Sequence, residues 1–157
     1  METWKKIDWI DGIPLIYEVS NYGNVRAIEH KTAYKGTDGF AVRKERIKKQ
    51  QTDKNGYKRV MLYGKQPFKK FVRVHRLVAI AFIPNPNEYE QVNHKDEDKN
   101  NNKVENLEWC TCLYNNNYGT KNARMAESKK GIKRPYMIKD ESGHFIGSDM
   151  KKKEVDE

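Results

Sequence analysis

The chain has 157 residues, 36% of them hydrophobic, with 31 lysines and arginines against 22 acids and a net charge of +9. No apolar run approaches the ~18 residues that a membrane span needs, and the opening METWKKIDWI is not a secretory signal. A mean hydropathy of −1.02 leaves a lean core, enough for one domain or a core with a small appendage.

The distribution of charge says more than its sum. Between Arg43 and Arg76 there are thirteen Lys/Arg against two acids, and from Glu88 to Glu108 seven acids against three lysines. A basic platform beside an acidic pocket suits a protein that neutralises phosphates with one part and recruits a cation with another. A basic surface with no such role is the simpler alternative. Cys110 and Cys112 lie two apart, a spacing that disfavours a disulfide, and two thiols alone do not make a structural zinc site. They read as small half-buried residues of a reducing, cytoplasmic protein.

In chain order, Leu15–Ser20 and Val25–Ile28 flank an Asn-Tyr-Gly-Asn turn and predict a hairpin, with Trp4, Ile7, Trp9 and Ile10 seeding a small core. Residues 31–41 read as a polar loop, and Val42–Lys49 as a short strand with a basic exposed face. The Asp53–Gly56 turn leads to strands over 57–63 and 68–74. Their alternation places many charges on one face of a twisted antiparallel sheet. That face is a plausible platform for double-stranded DNA, with Arg43, Lys44, Arg46, Lys58, Arg59, Lys69, Lys70, Arg73 and Arg76 as its candidate contacts. His75–Phe82 is nearly all apolar and stops at Pro84 and Pro86, which predicts a short buried helix; His75 reads as structural. A second basic helix over 123–130 adds Arg124 as a further candidate DNA contact. Strands at 136–139 and 145–146 follow around a turn at 141–143, and then a frayed, charged end.

The stretch from Gln91 to Tyr118 carries the chemistry. Gln91–His94 predicts a strand, residues 96–102 a polar loop, Val104–Trp109 the returning strand with Leu107 and Trp109 inward, and Thr111 the N-cap of a helix that bears Asn115. Phosphodiester hydrolysis needs a group to take a proton from water and a cation to offset charge on the phosphate. A neutral imidazole suits the first task, and amide oxygens suit Mg²⁺ or Mn²⁺. His94 is therefore the candidate general base, and Asn93 and Asn115 are the candidate ligands of one divalent ion. On the residues alone, a structural histidine beside a polar loop remains the alternative. The spacing does not fit a calcium loop.

The pieces VHRLVAIAFIPNP and VNHKDEDKNNNKVENLEW, followed by a helix-borne asparagine, resemble the HNH motif of phage and intron-encoded homing endonucleases. WKKIDWIDGIPLIYEVSNYGNVRAI resembles the strand-rich module that commonly precedes it. The resemblance implies an α+β fold: a small antiparallel N-terminal region over 1–73, a ββα-metal core over 74–122 and a short basic extension over 123–157. It also implies metal-dependent nicking or cleavage of DNA. By position it makes His94 the general base, Asn106 the brace that orients it, and Asn93 and Asn115 the metal ligands. Asn93 stands where the family typically has aspartate, and Asp96 reads as a loop brace. PYMIKDESGHFIG resembles the opening of a module that continues into a DNA-reading helix-turn-helix, which this sequence does not reach. The implied protein is a cytoplasmic, phage-derived monomer without a small-molecule cofactor. A DNA-binding protein with a decayed nuclease site is the alternative, and an RNA-binding basic domain is a third class that lacks a recognisable motif.

Overall fold

Short β-rich runs separated by Asn/Gly turns cannot build one large sheet, and this chain builds several small ones. The computed structural model describes residues 1–34, 36, 38–64, 67–130, 136–139 and 145–149, with side chains described as far as Ser128 except at Lys121 and Arg124. Met1–Asn117 forms one compact unit and Tyr118–Glu157 a second.

In the first unit, β1 (Trp4–Lys6), β2 (Tyr17–Ser20), β3 (Val25–Ala27) and β6 (Arg46–Ile47) form an antiparallel sheet in that order. The register sets Val19 opposite Val25, and both are fully buried. The β2–β3 turn closes through Gly23 N–H donating to Ser20 O (3.0 Å). Gly23 has φ 85°, a left-handed conformation that glycine adopts without a Cβ penalty.

Residues 31–41, read from sequence as a loop, instead belong largely to a hairpin of β4 (His30–Ala33) and β5 (Phe40–Arg43). Its strands are mostly exposed, so neither carries the buried alternation that betrays a strand in sequence. The expected strand over 42–49 is broken at Lys44–Glu45 into the end of β5 and the two residues of β6.

Next come β7 (Gln51–Thr52), β8 (Lys58–Tyr63) and β9 (Lys69–Arg73), a three-stranded sheet. Val60 and Leu62 are fully buried against α1 (Val74–Phe82). Val74, Leu77 and Val78 follow an i, i+3, i+4 pattern, so one face of the helix is apolar. Each is fully buried, a gain of about 1.5–3 kcal/mol for a side chain of that kind. The helix ends at Ile83, whose N–H donates to Ala79 O (2.9 Å), because Pro84 cannot extend it.

The core is continuous. Ile7, Tyr17, Val19 and Val25 from the N-terminal sheet pack in one cluster with Val60, Leu62, Leu77, Val92 and Leu107. In the second unit, α3 (Lys121–Lys130) and the strands β12 (Tyr136–Lys139) and β13 (Phe145–Asp149) are described, the strands pairing antiparallel. The expected turn at 141–143 and frayed terminus lie outside the described residues.

Candidate active site

The site is built on a further hairpin. β10 (Gln91–His94) pairs with β11 (Leu107–Cys110), with Asn93 opposite Glu108 and His94 opposite Leu107. A 3-10 turn over Val104–Asn106 leads into β11, so the returning strand starts three residues later than the alternation suggested. Side chains alternate across a strand, so Val92 lies with Leu107 and Trp109 and Gln91 and Asn93 lie with Glu108, while His94 is the last residue of β10, where the chain enters the loop. Thr111 caps α2 (Cys112–Asn117): its hydroxyl accepts from Tyr114 N–H (3.1 Å). From that helix Asn115 Nδ2 donates to Gln91 Oε1 (2.7 Å).

The loop between the strands is held by its own amides and acids. Asn106 Oδ1 accepts from Asp96 N–H (3.1 Å), and Asn106 Nδ2 donates to Asp96 Oδ1 (2.8 Å) and to Asn101 O (2.8 Å). Asp96 Oδ2 accepts from Asn101 Nδ2 (2.7 Å). These side-chain donors hold the Asp96 carboxyl below the usual carboxylate range, the Asn101 bond first among them. Asp96 is therefore spent on the loop, and Asn106 is satisfied and buried.

His94 is 5% exposed. Its Nε2 lies 3.1 Å from Asn102 Oδ1, the His75 ring stands edge-on at 5.2 Å between centroids, and the Tyr57 ring lies at 6.1 Å. Burial lowers the pKa of His94, opposed by the Asn102 hydrogen bond and then by Asp96 and Asp98, so the imidazole is a free base at neutral pH. Burial first, and His94 second, push His75 down to about 3. His75 is a neutral wall of the site, and its Nδ1 is buried without a hydrogen-bond partner.

The fit of a divalent cation turns on two amides. Asn93 Nδ2 donates to Glu108 Oε1 (2.8 Å); a carboxylate only accepts, so the Asn93 carbonyl oxygen must face the other way. Asn115 likewise commits its NH₂ group, to Gln91. Both side chains therefore keep a hard carbonyl oxygen on the same side of the hairpin, suited to Mg²⁺ or Mn²⁺. Among the described residues no group of three or more His, Cys, Asp or Glu side chains is arranged to hold a metal, so a softer, histidine- or thiolate-rich site has no donors there. Glu108 brings the charge that Asn93 lacks, one bond removed. We expect Asn93→Asp to set two carboxylates against each other, costing about 1–3 kcal/mol in EDTA. It should also lower the Mg²⁺ concentration needed for half-maximal thermal stabilisation. A metal titration that does not move would show that this oxygen never meets the cation.

The basic candidates do not share one face. The register Arg59–Arg73, Met61–Phe71 and Tyr63–Lys69 puts Arg59, Lys69 and Arg73 together, whereas Lys58 and Lys70 alternate onto the side of Val60, Leu62 and Val72. Arg73 pairs with Asp53 (3.1 Å) and stacks on Tyr57, and Arg59 stacks on Phe71. Arg76 donates to Glu90 O (2.8 Å). Arg43, Lys44 and Arg46 are exposed on the β5–β6 segment. The side chain of Arg124 lies outside the described residues. Three residues that reasoning from sequence passed over are Glu108, Gln91 and Asn102. Cross-strand register would have found the first from Asn93; nothing in sequence distinguishes Asn102 from its asparagine neighbours.

A histidine on a two-stranded hairpin, an asparagine brace in the loop and an amide oxygen on the following helix fit the ββα-metal class, here preceded by a strand-rich region. Comparison with known proteins gives the same class. The HNH endonuclease family model matches residues 72–117, and the NUMOD4 motif matches residues 2–63. The chain belongs to the HNH endonuclease family. It is 36% identical over 145 residues to an uncharacterized HNH endonuclease of Acanthamoeba polyphaga mimivirus, covering 92% of this chain and 37% of that one. It is also 36% identical over 108 residues to DNA endonuclease I-HmuI of Bacillus phage SP01, covering 69% of this chain and 52% of that one. A solved structure titled for DNA binding and cleavage by I-HmuI matches with a TM-score of 0.53 at 31% identity, over 92% of this chain and 76% of that one. The chain thus spans about a third to a half of the length of these curated relatives.

Proposed function

We propose that this protein is a metal-dependent DNA endonuclease that hydrolyses one phosphodiester bond per active site, with His94 as general base. The observation that carries the reading is the buried, neutral His94 on the same short hairpin as two amides whose carbonyl oxygens are free for a cation. His94 takes a proton from water as the water oxygen bonds to phosphorus. The ester P–O bond breaks, and the departing oxygen takes a proton from solvent, so the diester and water become a monoester and an alcohol. Asn93 and Asn115 would hold a divalent ion, which would supply positive charge against the phosphate and the departing oxygen. Asn106 keeps the loop, and through it the histidine, in place.

DNA as substrate rests on the +9 charge, on the exposed Arg43, Lys44 and Arg46, and on the DNA endonuclease named among the relatives. A monomer acting in the cytoplasm, one nick per encounter, is the simplest form of this reading. The purified protein should convert supercoiled plasmid to the open circle with Mg²⁺ or Mn²⁺ and not in EDTA. DNA affinity should fall with salt at a log–log slope of about −0.9 per phosphate contacted. Salt-dependent binding without nicking under either metal would sink the enzyme and favour the second reading, a DNA-binding protein with a decayed site. The neutral amide at Asn93 is the observation that speaks for it.

A further inference from the structure

The histidine that would take the proton has two ring nitrogens, and only one can do so. A neutral imidazole carries a hydrogen on one nitrogen and a lone pair on the other, and its hydrogen bonds decide which. His94 Nε2 faces Asn102 Oδ1 at 3.1 Å. Amide oxygen and nitrogen can be exchanged in assignment, but here chemistry fixes the choice. The other end of the Asn102 amide lies 3.0 Å from the carbonyl oxygen of Asn100. Two oxygens cannot share that contact, so the nitrogen points to Asn100 and the oxygen points to His94. An oxygen only accepts, so Nε2 must donate.

We propose that Asn102 is a positioning residue that holds His94 in the Nε2-protonated tautomer and leaves the Nδ1 lone pair to accept the proton from water. Among the described residues Nδ1 has no hydrogen-bonding partner. Asn102 is itself 4% exposed. Its backbone N–H also donates to Asn100 O (3.1 Å), and the next turn is tied down by Val104 N–H donating to Asn21 O (2.8 Å). Rotating the imidazole by half a turn would set a ring carbon against Asn102 and lose the bond. The His75 edge and the Tyr57 ring occupy neighbouring space. The tautomer and the direction of the lone pair are thus set by one amide eight residues away, outside the set that defines the family's motif.

The inference rests on the proposed role of His94, so its test reads the tautomer separately from the activity. Ring ¹⁵N correlation spectra of the full chain at pH 8, with His94 identified by its loss in His94→Ala, should show a protonated Nε2 and an unprotonated Nδ1. Asn102→Ala should give a mixture of tautomers and slow nicking about 10–100-fold, the usual scale for a group that orients another, with DNA affinity kept. Asn102→Gln, which carries the same acceptor oxygen and NH₂ group on a longer arm, should keep the Nε2-protonated form and recover activity relative to the alanine variant. A protonated Nδ1 in the parent protein overturns the proposal, as does an unchanged tautomer in Asn102→Ala. Should Asn102→Ala fail to fold, the parent and Asn102→Gln spectra decide alone. A parent protein that shows the expected tautomer but never nicks removes the enzymatic reading and leaves the assignment of Asn102 intact.

Discussion

Replacing His94 with alanine is expected to reduce metal-dependent nicking of supercoiled plasmid by about 10²–10⁴-fold, the range that a positioned general base contributes. DNA binding should survive, because the exposed basic segment at Arg43, Lys44 and Arg46 belongs to a different part of the fold. The substitution also orphans Asn102 Oδ1, and an unsatisfied buried acceptor costs about 1–3 kcal/mol. Nicking is therefore compared at a temperature where both proteins are folded by circular dichroism. His94→Gln, which retains a donor for Asn102, should fold better than the alanine variant and remain as inactive. Undiminished nicking by either variant would take the base away from His94.

The second large effect arises far from the motif. Gly23 has φ 85°, and a Cβ placed there would lie 2.8 Å from Asn102 Cβ and 3.1 Å from Asn102 O. Gly23→Ala thus meets two penalties: about 1–2 kcal/mol for a left-handed alanine, and a collision with a buried, doubly tethered residue that cannot yield cheaply. Gly36→Ala is the matched control, since Gly36 has φ 82° and nothing described within 4 Å. Chemical denaturation should show Gly23→Ala destabilised well beyond Gly36→Ala. The excess measures the contact with Asn102. Nicking should fall in the folded fraction of Gly23→Ala, because the displaced residue is the one bonded to His94. Equal destabilisation by the two substitutions would mean that the loop shifts freely and that Gly23 does not buttress the site.

The parts of the structure legible in sequence were those with a period or a spacing. The helix at Val74 announced itself by its apolar face and closing prolines, and β10 by its place before a polar loop. His94, Asn106 and Asn115 stood out because a motif separates them by fixed intervals. The β4–β5 hairpin was not legible, since exposed strands bury no face and so impose no alternation on their residues. Nor was the division of the basic side chains: pairing register, set by contacts across strands, decides which lysines share a face. Asn102 was invisible for a different reason. It is one of three consecutive asparagines, and what sets it apart is tertiary: Gly23 behind it and His94 in front.

The two family models meet in the interval from 64 to 71, as if two interchangeable parts had been joined there. The packing describes something less divisible. β8 lies in the first part and pairs along its length with β9, which straddles the start of the second. Ile7, Val19 and Val25 from the first part share one cluster with Leu77, Val92 and Leu107 from the second. A recombination event at the seam would part a strand from its partner, cut the core in two and remove Gly23 from behind Asn102. The strand-rich half and the histidine-bearing half therefore fold as one unit, and a chain cut at the seam is expected to leave each with half a core and neither stable by itself.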